Sequence, residues 1–167
     1  MNLEGSLIFL VRDGSVFLGR KMRGVGEGFW NGFGGKMEKG ETIEAAAVRE
    51  LKEEIGIDVM PGDLMNAGIV DFHNTKTDAE TVSFQAHIYI LEKWQGEPRE
   101  SDEMKTLTWF SMNDLPRREL RTADREWMPV IFQGHIIHGD ITYAPDKVAL
   151  VGDAKIDIVG RWKNSKF

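Results

Sequence analysis

The sequence contains no cysteine. A disulfide scaffold, a thiolate metal site and a cysteine nucleophile are therefore excluded. It has no long apolar run: Leu7 to Val11 is the longest near the start, far short of the ~20 residues that span a bilayer. The start, Met1 to Ser6, lacks the basic and apolar regions of a secretion signal, so a soluble, cytoplasmic protein is expected. A basic surplus is missing as well. There are 27 Asp and Glu against 21 Lys and Arg, a net charge of −6, which disfavours a nucleic-acid polymer as partner. A small phosphorylated ligand stays open, because divalent cations can stand between phosphates and carboxylates.

What is present fits one globular domain over residues 1–167. Residues 7–11 and 15–20 read as a hairpin about Asp13-Gly14. Residues 23–40 hold seven of the 18 glycines and read as a loop. Thr42 to Ile55 is rich in Ala, Glu, Leu and Lys and predicts a helix stopped by Gly56. Further strands are expected at 64–72, 81–92 and 106–110, with a polar turn over 73–80. The spacing of Trp127, Val130, Ile131 and Ile137 predicts a second helix over 124–138. A hairpin of 141–151 with 155–162 closes the chain. Strands mixed with two helices indicate an α+β or α/β sandwich.

Glu50, Glu53 and Glu54 stand at i, i+3 and i+4 of the first expected helix, hence on one face. Val48, Leu51 and Ile55 mark the opposite, core-facing stripe, so the acidic stripe is expected to point outward. Three like charges in one stripe repel and call for positive compensation. A solvated acidic face is the plainer alternative. Against it stand the glycine-rich loop just before the helix, whose amides can reach a ligand, and Glu41 at the helix start, within reach of Arg49.

From Gly35 to Ile57 the order is Gly35, Glu41, then Arg49-Glu50-Leu51-Lys52-Glu53-Glu54-Ile55-Gly56-Ile57. This resembles the Nudix box at each of its nine defined positions across 23 residues, without insertion. The resemblance implies an α/β/α sandwich with a mixed sheet, and hydrolysis of a nucleoside diphosphate linked to another group. It implies Mg²⁺, or Mn²⁺, held by Glu50, Glu53 and Glu54 with a backbone carbonyl of Gly35. Arg49 would orient carboxylates and Glu41 would support them. Which group takes the proton from water is open among Glu53, Glu54 and the remote Glu103.

Trp30-Asn31-Gly32-Phe33-Gly34-Gly35-Lys36, Glu100-Ser101-Asp102-Glu103-Met104, Trp109-Phe110 and Trp127-Met128-Pro129 are similar to the MutT-homologue group of oxidised purine nucleoside triphosphatases. By that resemblance Asn31, Phe72, Lys21, Ser6 and Asp124 match substrate-pocket positions, and Glu103 approaches the metal. Asn31 also suits a turn before Gly32, Lys21 an exposed strand lysine, Phe72 a core position and Asp124 a helix N-cap. The chain departs where the group has Trp-Pro-Asp-Asp: here Arg121-Thr122-Ala123-Asp124 stands, and Arg121 can stack on a base in place of the Trp. Val25 replaces a Phe of the group.

The expected activity is hydrolysis of purine (d)NTPs, with oxidised ones such as 8-oxo-dGTP the first to test, to the monophosphate and pyrophosphate. A Nudix pyrophosphatase for another nucleoside diphosphate derivative is the alternative. A non-catalytic nucleotide sensor is a third reading, disfavoured by the intact box. The Gly24-x-Gly26-x-Gly28 run lacks the Rossmann spacing, and Gly35-Lys36-Met37 lacks the Ser or Thr of a P-loop.

Overall fold

The computed structural model describes residues 2–78 and 80–163. Residue 79 of the expected 73–80 turn and residues 1 and 164–167 lie outside that description. The strands are β1 (Asn2–Arg12), β2 (Ser15–Lys21), β3 (Trp30–Asn31), β4 (Leu64–Thr75), β5 (Thr81–Leu91), β6 (Met104–Ser111), β7 (His135–Tyr143) and β8 (Lys155–Arg161). The helices are α1 (Ile43–Ile55) and α2 (Asp124–Phe132). No helix among the described residues is long and apolar enough to cross a membrane.

The strands form one sheet in the order β3-β2-β1-β5-β4-β7-β8, with β6 on β2. The β1–β5 and β4–β7 pairs are parallel and the others antiparallel, which makes the sheet mixed. Side chains alternate between its faces. Ile8 and Leu10 of β1 join Phe17, Leu51 and Ile55 in the core beneath α1. Phe9 and Val11 join Phe72, Trp127, Ile137 and Tyr143 in the core beneath α2. One helix thus covers each face, giving the α/β/α layers expected from the sequence.

β1 is longer than its apolar run because residues 2–10 pair in parallel with β5, so polar residues are drawn into the ladder. α1 agrees with the sequence reading. Thr42 caps it by accepting from the Ala45 amide at 3.1 Å, and Gly56 ends it at φ 73°. The second helix differs: it stops at Phe132, and 135–138 belongs to β7. Gln133 ends the helix, and Gly134 at φ 98° turns the chain back. Beyond it, buried Ile137, Ile141 and Tyr143 follow a period of two against β4. The closing hairpin is accordingly β7 with β8, eleven residues apart over 144–154, and not 141–151 with 155–162. His135 and His138, which fall within the helix expected over 124–138, are strand residues instead.

Candidate active site

The entry to α1 is laced to β1. Ile8 and Phe33 exchange both backbone hydrogen bonds, the Ser6 amide donates to the Gly35 carbonyl at 2.9 Å, and Met37 donates to Glu4 at 2.8 Å. Two glycines make this close approach possible. A Cβ on Gly34, at φ 143°, would lie 2.1 Å from the Ser6 carbonyl oxygen. A Cβ on Gly35 would lie 2.7 Å from the Glu50 carboxylate. Since Gly35 itself has no left-handed φ, Gly35→Ala should fold and instead push Glu50 aside. We expect kcat/KM to fall by about 10- to 100-fold, the usual cost of disturbing the support of a metal site, with the melting curve little changed. Steady-state kinetics beside a thermal melt check this.

Arg49 supplies the compensation that the acidic stripe requires. Its Nε and Nη2 grip Glu41 in a fork, both at 2.8 Å. Nη1 donates to Glu50 at 3.0 Å and to Glu53 at 3.3 Å, and Nη2 also reaches the Lys36 carbonyl. The Arg49 fork, helped by the Glu38 amide, holds the Glu41 carboxyl down at about 2. Glu41 in turn holds the guanidinium firmly charged. Glu50 moves the other way despite sharing Arg49, because burial outweighs the guanidinium and raises its pKa.

The acidic stripe does not point outward as a whole. Glu53 is exposed, whereas Glu54 turns under the loop and is 7% exposed. The reason is the Gly34 amide, which donates to Glu54 Oε2 at 3.1 Å and draws the carboxylate inward. That is its one hydrogen bond among the described residues. Burial pushes Glu54 up to about 8, with the neighbouring charges of Glu50 and Glu103 adding to it. Lys21 faces it, its own pKa lowered by burial and held up in part by Glu54.

The donor set fits a hard divalent cation. It offers oxygen ligands, and it includes a buried carboxylate whose charge Lys21 and the Gly34 amide compensate only in part. Among the described residues no three or more acidic or histidine side chains are gathered closely enough to hold a metal ion by themselves. A cation that keeps several waters and phosphate oxygens needs no closed cage. The Gly35 carbonyl already accepts from Ser6 and keeps a second lone pair.

The other sequence candidates divide. Glu103 lies within Coulombic reach of Glu54, and its Oε1 is paired with Arg23 at 2.6 Å. Asn31 Oδ1 accepts from the Gly32 amide at 2.8 Å, so the turn reading holds for that atom. Ser6 is buried, with no partner for Oγ among the described residues. Phe72 packs edge-on to Trp127 in the core beneath α2. Asp124 is not the N-cap of α2; Ala123 is. Asp124 is buried, and Oδ1 accepts from the Trp127 indole at 2.9 Å. Burial raises its carboxyl to about 6 against the pull of Arg121 and Trp127.

Arg121 is buried too, its guanidinium carbon 3.8 Å from the centre of the Tyr143 ring. Tyr143 thus takes one face of the guanidinium, and burial limits access to the rest. Tyr143 and Arg23 escape sequence reasoning, since neither belongs to a motif. The need of a buried Arg121 and a looped Glu103 for partners was the only available signal.

Residues 2–131 match the NUDIX domain profile. The chain is 42% identical over 128 residues to the oxidized purine nucleoside triphosphate hydrolase of Danio rerio, covering 77% of this chain and 78% of that protein. The Mus musculus protein of the same name is 38% identical over the same shares. Among solved structures, a mutator MutT protein from Bacillus halodurans superposes with a TM-score of 0.77 at 25% identity, covering 93% of this chain and 97% of that one. With the box residues gathered by α1 and its loop, and the profile spanning most of its length, this chain belongs to the NUDIX domain family.

Proposed function

We propose that the chain, as one domain over residues 1–167, hydrolyses purine nucleoside triphosphates to the monophosphate and pyrophosphate. Oxidised forms such as 8-oxo-dGTP come first among them. The observation that carries this is the box geometry: Arg49 holding Glu41, Glu50 and Glu53, and Glu54 buried beneath Gly34. The names of the Danio rerio and Mus musculus relatives support the substrate class.

Glu50, Glu53, Glu54 and the Gly35 carbonyl would hold Mg²⁺, with Mn²⁺ as a substitute, and Glu103 would join them once released from Arg23. When bound, such a cation neutralises phosphate charge and eases deprotonation of water. The chain's own residues do the rest. Arg49 fixes the carboxylates, so they need little reorganisation when the reaction centre forms. Lys21 places a cation beside Glu54, where a phosphate oxygen gains from it. Ser6, Asn31, Phe72, Arg121 and Asp124 are assigned to the nucleoside end. A nucleotide-pool role in the cytoplasm follows from that substrate. Hydrolysis of another nucleoside diphosphate derivative is a second reading, favoured by Arg121 standing where the MutT-homologue group has Trp.

A substrate panel with Mg²⁺ tests the proposal: 8-oxo-dGTP, 2-oxo-dATP, the ordinary dNTPs, ADP-ribose and dinucleoside polyphosphates. The highest kcat/KM should belong to a purine triphosphate. Preference for a conjugate over every triphosphate would overturn it.

A further inference from the structure

Arg121 and Asp124 form a buried pair of opposite charges that do not touch. The Arg125 amide donates to the Arg121 carbonyl at 3.3 Å, so 121–125 is one helical turn, and positions i and i+3 share its side. Each residue lies within Coulombic reach of the other, yet among the described residues no hydrogen bond or ion pair joins them. The guanidinium has five N–H donors. One acceptor is in place, the Lys147 carbonyl at 3.2 Å, and Nε is buried with none. Asp124 spends Oδ1 on Trp127. A buried cation and a buried anion held apart with unfilled hydrogen-bonding capacity are costly without a ligand between them.

Their place says which part of a nucleotide reaches them. Lys21 lies within Coulombic reach of both Glu54 and Arg121. Glu54 marks the box and the polyphosphate, so Arg121 and Asp124 stand farther along, at the base. A phosphate is disfavoured there by the Asp124 carboxylate, and the buried Arg121 guanidinium already rests one face on the Tyr143 ring. What remains is reading the base by its edge, with a donor from Arg121 beside an acceptor from Asp124.

We propose that Arg121 and Asp124 together select purines carrying a 6-oxo group and a proton on N1. This rests on the purine triphosphatase reading above and names its base class. The 6-oxo oxygen accepts from Arg121, and N1–H donates to Asp124. Adenine reverses both groups, setting an amine against the guanidinium and a lone pair against the carboxylate, whereas 2-oxoadenine, a lactam with a proton on N1, reverses only the first. Guanine and 8-oxoguanine nucleotides meet both requirements, adenine nucleotides meet neither, and 2-oxoadenine nucleotides meet only that of Asp124. Arg121 fixes the polarity of the pair.

The test compares kcat/KM for dGTP and 8-oxo-dGTP with that for dATP and 2-oxo-dATP. Wild type, Arg121→Gln, Arg121→Lys and Asp124→Asn are each assayed with Mg²⁺. Wild type should prefer the 6-oxo bases. The 6-oxo to 6-amino ratio should drop by about 10- to 100-fold in Arg121→Gln, as expected for losing a hydrogen bond to a charged group, and drop also in Asp124→Asn. Arg121→Lys keeps the cation and loses the planar fork, so it should fall between, and it carries the test if the Gln variant does not fold. A merely structural role, pinning the 144–150 loop through Lys147, would lower activity on all bases alike and leave the ratio unchanged. An unchanged ratio in these variants, or a wild-type preference for 6-amino bases, overturns the proposal while triphosphate hydrolysis stands. Failure to hydrolyse any triphosphate overturns the broader reading and this one with it.

Discussion

Glu54→Gln is expected to raise the melting temperature of the metal-free protein while it removes turnover. Glu54 is buried, and its pKa stands at about 8 against an ordinary 4.5. A carboxyl whose folded pKa is raised binds its proton more tightly in the folded state. Its ionisation therefore lowers stability as pH climbs from 4.5 to about 8, and the full loss is present above that window. Glutamine keeps an oxygen for the Gly34 amide and removes the charge. Without metal, the variant should match wild type below pH 4.5 and gain increasingly up to about 8. The gain should reach on the order of 10–20 °C, since a pKa unit is about 1.4 kcal/mol and 1 kcal/mol moves Tm by roughly 2–4 °C in a chain of this size. Mg²⁺ should narrow the gap by stabilising wild type more. With Mg²⁺ and substrate, kcat/KM should fall by on the order of 10²- to 10⁴-fold. Thermal melts in EDTA across that pH range, with parallel kinetics, decide the matter. A lower Tm in the variant at pH 8 would mean that Glu54 is satisfied without a cation.

Arg49→Ala should do the reverse to stability. It strips Glu41, Glu50 and Glu53 of their shared partner and the Lys36 carbonyl of a donor. Arg49 is 24% exposed and Glu50 13%, so the loss should fall below the roughly 3–5 kcal/mol of breaking a fully buried pair, at about 2–3 kcal/mol. Activity should drop by about 10- to 100-fold as the carboxylates lose their orientation. Arg49→Lys should recover part of each, because an ammonium cannot reproduce the fork on Glu41. The Glu41 carboxyl, held at about 2, contributes stability that is present above its ordinary 4.5 and lost as pH falls toward 2. The gap between wild type and the Ala variant should therefore be full at pH 7 and narrow once pH falls below 4.5. Urea midpoints at pH 7 and pH 4 measure both effects, and midpoints equal to wild type would contradict the role given to Arg49.

Much of this was legible in the sequence because it is local. The i, i+3, i+4 spacing of Glu50, Glu53 and Glu54, the Thr42 cap and the Gly56 stop are all contained in α1. The layers follow from alternation along β1, where Ile8 and Phe9 face opposite cores. What sequence misread depends on contacts between distant segments. Residues 135–138 carry apolar spacing that suits a helix, yet pairing with β4 claims them as strand. Glu54 is turned inward by an amide 20 positions earlier, a partner no helical wheel contains. Arg121 rests one face on Tyr143, 22 positions later, a contact that no local pattern announces.

The central claim is that the box carboxylates hold a divalent cation to split a purine triphosphate between its α and β phosphorus atoms. Phosphorus NMR of 8-oxo-dGTP turnover, with Mg²⁺, after excess EDTA and again after Mg²⁺ is restored, tests it most directly. The account predicts monophosphate and pyrophosphate in equal amounts with Mg²⁺, no reaction in EDTA, and recovery on restoration. Orthophosphate with a diphosphate as products, or turnover that continues in EDTA, would contradict it.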